Sequence, residues 1–201
     1  MSKTTSATVR TNRERTETTR LALLEAARAL FVGKGYGDTS TPEIAAAAGI
    51  TRGALYHHFE DKRDLFRQVL QRESQAVAAD IEAAAPEQLS PREALLEGSK
   101  AYLNAMTAPG RTRLLLIDGP AVLGMEEIMA LDDTTSAASL RQGLERAGVG
   151  HGEVSLDTLT ALLSAAFDRA ALALNAGADA GQTRAAMLWL LERALGRERQ
   201  G

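Results

Sequence analysis

The sequence predicts an all-α protein: a three-helix unit near the N-terminus followed by a larger helical body. Three observations carry that expectation. Apolar residues recur at intervals of three and four along most of the chain. Ser, Thr or Asp stands before the periodic runs and Gly after them, as helix starts and stops require. No stretch alternates with the period of two that a half-buried strand needs, and no internal repeat is found. The length of 201 residues, with 45% hydrophobic and 24% charged, suits a globular protein with a real core.

Residues 1–18 are rich in Thr, Arg and Ser with almost nothing apolar, so a disordered basic tail is expected there. From Arg20 the pattern changes. Leu23, Leu24, Ala27, Leu30 and Phe31 form one helical face, and Gly33, Gly35 and Gly37 stop the helix. In "STPEIAAAAG", Ser40 and Glu43 fit a capping box and Pro42 falls in the first turn, where its missing N–H does no harm. Gly49 ends that helix, and Thr51 is the N-cap of the next, "RGALYHHF". Two helices of about eight residues around a Gly-containing turn are the pattern of a helix-turn-helix. Neither is long enough to stand alone, so Ile44, Ala47, Leu55 and Phe59 are expected to pack on the first helix.

Asp61 opens a long helix with Leu65, Phe66, Val69, Val77 and Ile81 inward, ending before Pro86. Ser90, Pro91 and Glu93 make the clearest helix start in the chain, and Pro109-Gly110 ends that helix. "RTRLLLIDGPAVLG" is expected to be a short apolar element broken at Asp118-Gly119-Pro120. One further helix reaches about Ala147, and two amphipathic helices, "SLDTLTALLSAAFDRAALALNAG" and "DAGQTRAAMLWLLERALG", complete the chain.

Several functions are excluded early. There is no cysteine, so disulfides and zinc–thiolate sites are ruled out. His57 and His58 are adjacent, and neighbouring helical residues point about 100° apart, so they cannot share a metal. No G-x-S-x-G elbow, H-E-x-x-H helix, P-loop or dinucleotide fingerprint is present; "GKGYG" follows no strand and is a helix stop. Neither a metal nor a cofactor is expected. Apolar runs such as "LLLI" and "ALLSAAF" are too short to span a bilayer and no secretory segment is recognised, so a cytoplasmic, soluble protein is expected.

Net charge is −3, but it is unevenly spread. Residues 1–72 hold 12 Lys and Arg against 8 Asp and Glu, whereas residues 73–201 hold 11 against 18. A basic head on an acidic body fits a nucleic-acid contact at the N-terminal end. A recognition helix presents its first residues to base edges, here Thr51, Arg52, Gly53 and Ala54. Arginine can donate twice to guanine, and the small residues allow close approach. Tyr56, His58 and Lys62 have the reach and the donors for phosphate oxygens.

Residues 19–66, "TRLALLEAARALFVGKGYGDTSTPEIAAAAGITRGALYHHFEDKRDLF", resemble the DNA-binding domain of the tetracycline-repressor (TetR/AcrR) family of bacterial regulators. The matching pieces are "LLEAARALF", "GY" then "TS", "IAAAAGIT", "GALYHHF", and "K" then "LF", in order and at the right spacing. "LLLIDGPAVLG" resembles a segment of some members. The resemblance implies a helix-turn-helix domain over 19–64 and an all-helical regulatory and dimerisation domain over 65–201. It implies that Thr41 and Pro42 touch the DNA backbone, that Arg52, Gly53 and Ala54 face bases, and that Tyr56, His58 and Lys62 hold phosphates. His57 and Phe59 then fall to packing, although neighbours could exchange roles.

In the body, Leu156, Leu159, Leu163, Ala166 and Ala170 repeat at helical spacing, as do Leu188, Leu191 and Leu195. They are candidates for a four-helix seam between two subunits, or for the core of one. Tyr102, Met106, Leu116, Met125, Met129 and Phe167 are candidates for lining a ligand cavity, methionine being adaptable. The whole implies a homodimeric regulator, a repressor on a palindromic operator in double-stranded DNA, released by a small, mainly apolar effector. The alternatives are a regulator without an effector and an enzyme using the helical cavity.

Overall fold

The computed structural model describes residues 12–86, 88–149 and 154–196. They are helical with no strand among them, and they divide into two compact units, Met1–Val69 and Leu70–Gly201. The division falls inside one continuous helix, five residues beyond the join expected at 64/65.

The first unit is built from α1 (Asn12–Lys34), α2 (Thr41–Ala47), α3 (Arg52–Leu55) and the start of α4 (Lys62–Ala84). Leu23, Leu24, Ala27, Phe31, Ile44, Leu55, Phe59, Leu65 and Phe66 are buried, as the apolar periodicity requires. Leu30 is only half-buried, and Ala45 rather than Ala47 is the alanine of α2 that packs inward. Phe66 meets Phe31 edge-on with centroids 5.1 Å apart, and Tyr36 lies 5.0 Å from Phe66. Such pairs add about 0.5–1.5 kcal/mol to the burial itself. Gly35, at φ 85°, turns the chain out of α1 while its N–H still bonds Phe31.

Two expectations for this unit are corrected. The tail read as disordered over 1–18 is helical from Asn12; residues 1–11 lie outside the described residues. Thr18 and Thr19 donate their hydroxyls to the carbonyls of Glu14 and Arg15, so these residues bond within the helix rather than against it. The third helix is also shorter than eight residues. After Leu55 the backbone tightens, with His57 and His58 bonding carbonyls three residues back, and Phe59 bonds Leu55 to close the turn.

In the second unit, α5 (Pro91–Ala105), α9 (Ser136–Arg146), α10 (Leu156–Asn175) and α11 (Ala180–Ala194) pack around Leu95, Leu103, Leu144, Leu163, Phe167, Ala170, Met187 and Leu191. The capping box at Ser90 and Glu93 forms as expected. The helix expected to run to Ala147 is in fact two, α8 (Met125–Asp132) and α9, separated at residues 133–135.

The break expected at Asp118-Gly119-Pro120 does not occur. The path stays helical through α6 (Arg111–Arg113), a π-helical turn (Leu114–Asp118) and α7 (Gly119–Leu123), and it ends at Gly124. In the wider turn the N–H of Gly119 reaches back five residues to Leu114, which gives the following proline room within the helix. A Cβ on Gly119 would lie 3.0 Å from the Leu114 carbonyl oxygen, so this position accepts no larger residue without moving backbone. Arg111 anchors the segment: its Nε donates to Glu73 at 2.9 Å and its Nη1 to the Ala105 carbonyl at 2.8 Å. That pair is almost wholly buried, so losing one partner would cost several kcal/mol, about 3–5.

Candidate nucleic-acid interface

The first unit holds α3 at a sharp turn after α2. Ser40 caps α2 through the reciprocal bonds with Glu43, and Lys34 adds a 2.5 Å bond to the same carboxylate. The Lys34 bond, with the Ser40 bonds after it, holds the Glu43 carboxyl down at about 2. Gly49, at φ 71°, reverses the chain, and Thr51 caps α3 by accepting from the N–H of Ala54 at 3.2 Å. Pro42, Thr51, Arg52, Gly53, Tyr56 and His57 are all exposed around this turn, while Ala54 is half-buried. A Cβ on Gly53 would touch little, so its bareness leaves an open approach beside Arg52.

Three side chains take different positions from those expected. Thr41 is buried, and its Oγ1 lies 3.0 Å from the Tyr56 hydroxyl, so it is tied to Tyr56 and not free at the surface. Lys62 donates from Nζ to the carbonyls of Tyr36 at 2.9 Å and Thr39 at 3.0 Å, and sits 4.2 Å from the Tyr36 ring centre. Two of its three N–H bonds thus clamp the turn between α1 and α2, contrary to the expectation of a free phosphate arm. His58 is half-buried beside Phe59, and His57 is the more exposed of the pair.

Tyr56 is half-exposed and carries the Arg52 guanidinium over its ring, 5.6 Å from the centre. Bonding to Thr41, with Arg52 second, lowers the pKa of its phenol. Arg52 is therefore supported from behind before anything docks in front. An arginine held this way presents its fork at less conformational cost.

The second unit contains a cavity of about 560 Å³ among α4, α5, α9 and α10. Tyr102 and Phe167 line it, but the other four expected lining residues do not. Met106 is buried in the core, Leu116 is half-buried in the π turn, and Met125 and Met129 are 61% and 57% exposed. The cavity also has a polar wall absent from the expected lining, which includes Ser99, Ser139 and Ser164. Its signal was the polar interruption of α10, where Ser164 and Asp168 share a face with Phe167.

The residues expected at the seam divide between buried and part-exposed positions. Leu163, Ala170 and Leu191 are buried within one chain, and Leu156, Leu159, Ala166 and Leu195 pack against the same core. Leu188 is half-buried. The three buried positions face their own chain's core, while Leu156, Leu159, Ala166, Leu188 and Leu195 keep part of their surface exposed. The large exposed apolar side chains of α10 and α11 are Leu162 at 66%, Trp189 at 57% and Leu190 at 39%. The signal was the run Met187–Leu191, five apolar residues in a row and too wide for one inward face.

Among the described residues, no group of three or more His, Asp or Glu could hold a metal, and no helix is long and apolar enough to cross a membrane.

The profile of bacterial regulatory proteins of the tetR family matches residues 23–69, and that of the tetracyclin repressor-like C-terminal domain matches residues 92–197. Over 60 residues, 30% of this chain, the sequence is 47% identical to the HTH-type transcriptional regulator AcrR of Shigella flexneri, of which 28% is covered. Over 63 residues, 31% of this chain, it is 48% identical to the HTH-type transcriptional repressor BepR of Brucella suis biovar 1, of which 30% is covered. The chain thus spans less than a third of the length of these curated relatives. A crystal structure of a tetR-family transcriptional regulator from Pectobacterium atrosepticum matches with a TM-score of 0.67 at 32% identity, over 92% of this chain and 95% of that one. LfrR of Mycobacterium smegmatis, solved in complex with proflavine, shares the fold with a TM-score of 0.62 at 23% identity, over 89% and 96%.

Proposed function

Because the chain belongs to the tetR family of bacterial regulatory proteins and is a transcriptional regulator, not an enzyme, we propose that it represses from a palindromic operator as a homodimer and lets go when a small molecule fills the cavity. The observation that carries the DNA half is the exposed group of Arg52 and Gly53 on α3, with Tyr56 in the turn that follows and Pro42 at the start of α2. Arg52 reads a guanine in the major groove, with Gly53 and Ala54 allowing close approach. Tyr56 and His57 hold phosphates, and Pro42 and Thr51 lie against the backbone. Lys62 contributes only the N–H its clamp leaves over, while Thr41 acts through Tyr56.

The DNA-contacting part is assigned to residues 19–64 and the regulatory part to 65–201. Leu162, Trp189 and Leu190 take the place of the buried Leu163, Ala170 and Leu191 in the contact between copies; exposed apolar side chains on neighbouring helices favour such burial. A ligand releases DNA only if it binds the DNA-incompetent conformation better than the competent one. α4 supports such a link, since one helix carries both Lys62 and the cavity-lining Ile81. The effector's body is mainly apolar, as Ile81, Leu95, Leu140 and Phe167 would suit. LfrR, which shares the fold, holds proflavine in its solved structure.

The test is a fluorescence anisotropy titration of the full chain on inverted-repeat duplexes selected from a random pool. The expected result is two chains per selected duplex and an affinity falling steeply with salt. Equal affinity for selected and scrambled duplexes would refute the operator reading.

A further inference from the structure

The cavity wall has a hydrogen-bonding bias that constrains what can bind. Four of its hydroxyl-bearing residues have their proton committed to the protein. Ser99 donates to the Leu95 carbonyl at 2.8 Å, and Ser139 to the Thr135 carbonyl at 3.3 Å. Tyr102 donates to Asp168 Oδ1 at 2.5 Å, and Ser164 to Asp132 Oδ2 at 2.9 Å. A hydroxyl whose one hydrogen is in use has only lone pairs left for another partner. These four oxygens can therefore only accept from a bound molecule.

Two carboxylates reinforce this bias. Neither Asp132 nor Asp168 has an ion-pair partner among the described residues, although both are largely withdrawn from water. Burial raises the pKa of both; Asp168 is pushed to about 6, with the charge of Asp132 adding to the effect. At neutral pH Asp168 is thus mainly ionised, in surroundings that supply hydrogen bonds but no positive charge. Buried negative charge without a cation is costly, and a bound cation would relieve it. The other charged residues of the wall, Glu82 and Arg146, are exposed and of opposite sign.

We propose that the cavity is a receptor for an amphiphilic cation, with a protonated amine or amidine head at the Tyr102 and Ser164 oxygens, before Asp168 and Asp132, and an apolar body against Phe167, Leu140 and Leu95. This rests on the effector reading above and narrows it. At the Tyr102 and Ser164 end, oxygens backed by two carboxylates select against an anionic head, which would meet lone pairs and like charge there; the donors of the wall, on Ser136, Gln142 and Arg146, belong to α9.

Three probes of one shape test it: 2-(1-naphthyl)ethylamine, 2-(1-naphthyl)ethanol and 1-naphthylacetate, titrated calorimetrically into the full-length protein at pH 7.5. The amine is expected to bind at least ten-fold more tightly than the alcohol, and the carboxylate at least ten-fold more weakly than the alcohol. Asp132→Asn/Asp168→Asn should bring amine and alcohol within about two-fold of each other, and Asp168→Asn alone, a milder second variant that still accepts the Tyr102 hydroxyl, should cut the preference at least three-fold. A carboxylate that binds as well as the amine overturns the inference while leaving the effector reading standing. So does an amine preference that survives both variants. If none of the three binds, both readings fall together.

Discussion

The Tyr56 hydroxyl lies 3.0 Å from Thr41 Oγ1, joining the first residue of α2 to the turn that follows α3. The two helices of the motif are thus locked by a side-chain bond on the face proposed to meet DNA, with Arg52 resting on the same ring. Thr41 orients Tyr56, and Tyr56 supports Arg52.

That chain of support predicts a non-additive pair of substitutions. Thr41→Val keeps the shape and removes the bond; Tyr56→Phe removes it from the other side. A net hydrogen bond is worth about 0.5–1.5 kcal/mol, so each single variant should lose that much operator affinity or less. The double variant should lose no more than the worse single, because both break one interaction. Fully additive losses in a titration would mean that Thr41 touches the DNA itself.

Arg52→Ala carries a different expectation. If its fork reads guanine, the loss falls on one base pair of each half-site, on the order of 1–3 kcal/mol, and sequence preference there relaxes. Selection of binding sites from a random pool by the variant measures this. An unchanged preference with uniformly weaker binding would reduce Arg52 to a phosphate contact.

Lys62 should behave as a clamp more than as a phosphate ligand. Its two bonds to the Tyr36 and Thr39 carbonyls are charge-assisted, worth roughly 1.5–3 kcal/mol each when one partner is charged. Lys62→Met is therefore expected to lower the thermal midpoint by several degrees. The slope of log affinity against log salt should change by less than one unit. A full unit of slope with no loss of stability would restore the expectation drawn from sequence.

The first unit was legible because its signals are local. Caps at Ser40 and Thr51, glycine stops and a periodic face each depend on residues a few positions apart. The errors arose where geometry depends on distant parts of the chain. Nothing near Lys62 in sequence shows that it reaches Tyr36, and nothing near Thr41 shows that its hydroxyl goes to Tyr56. The π turn at 114–118 depends on room around Gly119, where Leu70 and Ile128 close in. In the body, periodicity identified apolar faces but not which neighbour covers them. Leu163 and Leu162 are adjacent in the same apolar run, yet one is in the core and the other 66% exposed.

That distinction yields an assembly prediction. Leu162→Glu and Trp189→Glu should give folded monomers, because each places charge on an exposed apolar face. Leu163→Glu should unfold the body, because it buries a charge. Sedimentation velocity with circular dichroism separates the cases. Dimers that persist with both exposed positions charged would exclude this face as the contact.

The last prediction concerns pH. Asp168 has a folded pKa of about 6 against a reference of 3.8, raised chiefly by burial. The folded state therefore binds this proton more tightly than the unfolded chain does. The stabilisation is complete below about 4 and is lost as pH rises through 6. Asp132 is shifted the same way, so the two act together. Glu43 works in the opposite sense: held at about 2 against a reference of 4.5, it adds stability above 4.5 that is lost as the solution is acidified toward 2. Its contribution still changes at the acid end of the interval where Asp168 titrates, but it does so equally in both proteins and cancels from their difference. Asp168→Asn still accepts the Tyr102 hydroxyl but cannot ionise. Relative to the natural protein, its thermal midpoint should improve steadily from pH 4 to pH 7 and then level off. A difference between the two proteins that stays constant over that interval would show that Asp168 is ionised throughout it, and that its surroundings supply a positive charge.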